Sequence, residues 1–94
     1  MMTQSEAQIV TPHASRYLQQ LCKHFAHKLP VTFDPAAGRI GFPIGDCDLS
    51  ADGERLRMHL TAPDSSQLAQ LKDVVIRHLV RFAFREDLAV AWQD

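Results

Sequence analysis

No run in this sequence approaches the roughly 20 consecutive apolar residues that a membrane-spanning helix needs. Neither sign of charge is in excess. Ten Lys and Arg stand against eleven Asp and Glu, a net charge of -1 with histidine neutral. Nucleic-acid binders and anionic-membrane binders usually carry a basic surplus, so neither partner is expected. Cysteine is scarce, with two in 94 residues. The opening MMTQSEAQIV lacks the basic start and apolar middle of a secretion signal, so a cytoplasmic protein with free thiols is expected. Gly38, Gly41 and Gly45 are read as turn residues rather than as a strand-to-helix phosphate loop, which leaves no nucleotide fingerprint.

What is present is ordinary for a globular chain: 46% apolar and 22% charged residues. The length fits one domain spanning residues 1–94. Gln8 to Val10 reads as a short first strand. Thr11-Pro12 then looks like a helix start, Thr11 capping and Pro12 taking the first helical position. Ala14, Leu18, Leu21, Cys22, Phe25 and Leu29 recur at three- and four-residue steps, one apolar stripe of helical period, which Pro30 ends.

The period then changes to two. Val31 and Phe33, Ile40 and Phe42, Cys47 and Leu49, then Leu56, Met58 and Leu60 alternate with polar neighbours. DPAAG (34–38) is turn chemistry, and the Asp-Gly pair in ADGE (51–54) is a strong hairpin signal. Four strands in an antiparallel meander follow, with one buried and one wet face. Asp64 and Gln67 have capping-box spacing before a second helix whose stripe is Leu68, Leu71, Val75, Leu79 and Phe82. That helix should end near Phe84 or Arg85, and Leu88, Val90 and Trp92 alternate in a last strand. The order β-α-β-β-β-β-α-β predicts an α+β two-layer sandwich, an antiparallel sheet with both helices on one face.

The first helix carries the candidate chemistry. With Leu18 at the centre of its buried side, His13, Arg16, Gln20, His24 and His27 fall on the opposite side, and Tyr17 sits at the margin. His24 and His27 are three apart and can converge on a zinc or iron ion. Zinc wants three or four ligands, however, and neither CxxC nor HExxH is present. A solvated or partner-facing stripe is therefore preferred to a metal site, and no cofactor is assigned. Cys22 and Cys47 map to inward positions, as small buried hydrophobes do. His78 on the second helix reads as a half-buried histidine bonded to backbone, with Arg77 and Arg81 beside it. Arg39, Arg55, Arg57 and His59 share the open sheet face with Asp46 and Asp48. That face has no aromatic platform for stacking RNA bases.

The segments TPHASRYL (11–18), LCKHFAHK (21–28) and RFAFRE (81–86) resemble the small bacterial family known as domain of unknown function 2218. The resemblance extends from Thr11 to Trp92. It singles out Arg16, Tyr17, Cys22, His24, His27, Arg81 and Phe84 without giving any of them a role. It also implies a link to siderophore-interacting flavin reductases, and so to iron acquisition. The reading is a non-enzymatic accessory or binding domain in which the helix surface, with Arg81, meets another protein, a metal or a small anionic ligand. Two alternatives stand beside it: a small enzyme using His24 or His27 as general base, with no catalytic residue assigned, and a homodimerising structural module.

Overall fold

The computed structural model describes residues 2–83, 88 and 90–93. Eight elements follow in the expected order: β1 (Thr3–Val10), α1 (Ala14–Phe25), β2 (Val31–Phe33), β3 (Ala37–Phe42), β4 (Gly45–Asp52), β5 (Arg55–Ala62), α2 (Ser65–Phe82) and β6 (Trp92–Gln93). The six strands form one antiparallel sheet in the order β2-β3-β4-β5-β1-β6. α1 lies over β2, β3 and β4, and α2 over β5 and β1, so both helices cover the same face.

Alternation sets that face. Leu56, Met58, Leu60 and Ala62 of β5 are buried, whereas Arg55, Arg57, His59 and Thr61 point the other way. In β1 the covered positions are Ser5, Ala7 and Ile9. Buried Ser5 is satisfied because its Oγ donates to the Gln93 carbonyl at 3.4 Å. Leu18, Leu21 and Cys22 of α1 and Leu71, Val75 and Leu79 of α2 close the core from above. Each fully buried Leu of this kind contributes about 1.5–3 kcal/mol over an exposed one.

The turns follow their residue chemistry. Asp34 Oδ1 accepts from the N–H groups of Ala36 and Ala37 at 2.8 and 2.9 Å and folds the β2–β3 hairpin. Gly53 takes φ +59° in the two-residue loop between Asp52 and Arg55, a conformation that favours glycine. Asp64 caps α2 by accepting from Gln67 N–H at 2.8 Å.

Several boundaries differ from the sequence reading. β1 begins at Thr3 rather than Gln8, because pairing with β5 recruits its polar half. Thr11 Oγ1 accepts from His13 N–H at 3.1 Å, but one step early: the helix starts at Ala14 with His13 as its cap residue. α1 ends at Phe25, not at Pro30. Lys28 N–H and Leu29 N–H both return to the Phe25 carbonyl, at 3.1 and 2.9 Å, and the chain then turns away. α2 ends at Phe82, and Phe84 and Arg85 lie outside the described residues. The last strand is only Trp92–Gln93; Leu88 and Val90 pack on the core without joining it. Gly38 and Gly41 are strand residues of β3, not turn residues.

Candidate functional site: the cleft at the ends of the helices

The early end of α1 leaves a cleft of about 500 Å³ beside α2, lined by His24, Phe25, His27, Lys28, Leu29, Phe42, Val74 and His78. Three elements build it. α1 supplies His24 and Phe25 in its last turn, and the chain beyond adds His27, Lys28 and Leu29. β3 contributes Phe42, and α2 contributes Val74 and His78.

Rings dominate its walls. Phe25 meets Phe42 edge-on with centroids 4.9 Å apart and lies 4.8 Å from the His78 ring. His24 stands 4.8 Å from His78 and 5.8 Å from Phe82. The wet stripe of α1 is thus not uniformly wet. His24 keeps an exposed edge but leans against α2, because the two helices approach at this end.

His78 makes the backbone bond expected of it: Nδ1–H donates to the Val74 carbonyl at 2.7 Å. In the neutral ring this leaves Nε2 as a lone pair. Burial, and after it the positive charge of His78, His27, Arg81 and Lys28, holds His24 below the ordinary imidazole pKa of 6.5. Among the described residues no acidic side chain lines the cleft.

The other candidates scatter. His13 and Arg16 are exposed at the far end of α1, away from the cleft lining. Tyr17, expected at the margin, is a core residue at 4% exposure, with the ring of His13 6.0 Å away. Gln20 is half-buried, and its Oε1 has no partner among the described residues. Arg81 is exposed on α2, close enough to act on His24. His27 lies past the helix end, so the spacing argument for a His24–His27 pair on one helical face does not apply. Among the described residues no three of His, Cys, Asp and Glu gather, so they form no closed site of the structural zinc type.

The residue missed as a site member is His78. The sequence shows it near the edge of a stripe but carries no sign of its meeting with His24. Both cysteines are core residues. Burial raises Cys22 to about 11 and pushes Cys47 higher still, which suits neither for nucleophilic work.

A second groove, of about 570 Å³, runs along β2 and β3. Its charged groups are already engaged: Arg39 pairs with Asp48 at 3.9 Å and, beyond the groove, with Asp46 at 3.2 Å, and Asp34 accepts from backbone N–H groups. The open sheet face is polar, and His59 Nε2–H can donate to Gln4 Oε1 at 2.8 Å. No helix among the described residues is long and apolar enough to cross a membrane.

Sheet, helix pair and cleft together define a small α+β domain with a ring-walled cleft at one end of its helix layer. The chain belongs to a family of uncharacterized proteins conserved in bacteria, DUF2218, which it matches over residues 6–93. It is also similar to PA4090 from Pseudomonas aeruginosa, known from an NMR structure. The two are 40% identical, with a TM-score of 0.80, over 96% of this chain and 94% of the other. No curated protein matches.

Proposed function

We propose that this domain is a non-catalytic accessory module of the cytoplasm, and that its helix-end cleft binds a small anion with a flat apolar body. One observation supports the reading above others: the cleft combines ring walls with a lining whose ionisable groups, among the described residues, are all basic. Phe25, Phe42 and the imidazoles offer ring faces to a planar ligand. Lys28 and His27 can meet an oxyanion through charge-assisted hydrogen bonds. The volume falls within the range of small-molecule sites, about 300–1,000 Å³. Under the link to iron–siderophore handling implied by the family resemblance, the anion would be a catecholate or a hydroxamate.

Titrating 2,3-dihydroxybenzoate, acetohydroxamate and benzoate into labelled protein, followed by amide NMR, tests the reading. Shifts should cluster at His24, Phe25, Lys28, Phe42 and His78. Lys28→Ala should weaken binding about tenfold, the usual loss for a hydrogen bond to a charged group. Absence of shifts at millimolar ligand, or shifts centred elsewhere, would overturn it.

A general-base role for His24 has one observation in its favour, the lowered pKa that keeps the ring neutral near pH 7. No Ser, Cys, Asp or Glu among the described residues lines the cleft beside it, so binding stands first.

A further inference from the structure

The centroids of His24 and His78 lie 4.8 Å apart with their rings tilted by 43°. A metal ion held at about 2.0–2.1 Å from one nitrogen of each ring, with an angle of about 90–110° at the metal, puts two imidazole centroids about 4.5–5.2 Å apart. The observed spacing falls inside that window. The His78 ring is oriented as a ligating imidazole usually is, with one nitrogen donating to a backbone carbonyl and the other free. No further hydrogen bond occupies Nε2 of His78 or either nitrogen of His24 among the described residues. The cleft beside the pair has room for additional ligands.

We propose that His24 and His78 form a two-imidazole site for a first-row divalent transition-metal ion, its remaining positions open to water or an exogenous ligand. The proposal goes beyond the anion reading and does not rest on it. His27, three residues from His24, is not the partner; the second ligand comes from the other helix. Imidazole nitrogens suit Zn²⁺, Ni²⁺ and Cu²⁺, with Cu²⁺ held most tightly.

Two features set the expected strength. The described residues supply two protein ligands, and Lys28 and Arg81 stand nearby as cations. Both make the site exchangeable rather than a structural zinc centre, and both favour a metal that carries an anion in its open positions. His24 is held largely neutral near pH 7, so little proton release opposes binding.

The test is a titration of tag-free protein with Zn²⁺ alone, near neutral pH, followed by the ¹⁵N resonances of the histidine rings. One equivalent should shift Nε2 of His78 together with one nitrogen of His24, while Nδ1–H of His78 persists. His24→Ala and His78→Gln should each weaken binding at least about tenfold, and His13→Ala and His27→Ala should leave it within about twofold. His24 is exposed, so its replacement leaves the core intact even if His78→Gln impairs folding. Unshifted His24 and His78 resonances at millimolar Zn²⁺, undiminished affinity in His24→Ala, or an equal loss in His27→Ala would overturn the proposal. Anion binding measured with EDTA present tests the other reading separately, so either can fail alone.

Discussion

Cys22 of α1 meets Gly38 of β3 so closely that a β-carbon on the glycine would lie 2.6 Å from the cysteine sulfur. This is one of the contacts through which the helix seats on the sheet, and Leu18 lies over the same point at 3.4 Å. Gly38→Ala should therefore overpack the layer and cost about 1–3 kcal/mol. Urea unfolding gives the value. Cys22→Ala in the same chain should recover part of the loss, and a double-mutant cycle showing no coupling would refute the contact's role.

The two thiols should be silent in the native protein. Both are fully buried, and burial raises Cys22 to about 11. A thiol reagent added at neutral pH should label neither until denaturant is present, when both should react. Fast native labelling of Cys22 would contradict the packing described.

His24 should titrate below the ordinary imidazole value of about 6.5, since burial and neighbouring positive charge disfavour its charged form. The linkage sign follows. In the interval between the lowered folded pKa and the unfolded one, the unfolded chain binds the extra proton. The contribution of His24 to stability is thus present above about pH 6.5 and is lost as pH falls toward the folded value. Ring-proton NMR should give a midpoint that rises in His78→Phe, which removes the positive charge of the neighbouring imidazole, and rises also with salt.

Asp64→Ala should remove the side-chain cap of α2 and cost about 1 kcal/mol. For a domain of this size that lowers the midpoint of thermal unfolding by about 4–8 °C. Asp64→Asn, which keeps the acceptor, should retain most of the stability.

The meander was legible because its turns are built from residues with local causes. Asp34 and Gly53 act within a few positions of themselves, and the alternation of Leu56, Met58 and Leu60 needs only the pleat of one strand. β1 was legible only in its last three residues. Its inward side holds Ser5 and Ala7, which carry no hydrophobic pattern; pairing with Leu60 and Met58 makes them strand residues. The fold class thus followed from local signals, whereas the candidate site did not. Its ring contacts depend on α1 stopping at Phe25 and on α2 bringing His78 to His24. Neither event leaves a motif, and the family resemblance that picked out His24 passed over His78.

β1 is the first strand described, yet it lies inside the sheet, between β5 and β6. Thr3 reaches Ala62 across 59 positions, and Ser5 reaches Gln93 across 88. On a ribosome β1 would wait with both edges unpaired until β5 had emerged, and with one edge unpaired until β6 had. The hairpins from Val31 to Ala62 can close meanwhile, since their partners are near neighbours. Contacts of such long sequence separation form late and slow folding. β1 is thus made early and completed late, and a nascent chain halted before β5 would expose both of its edges to any strand that met it.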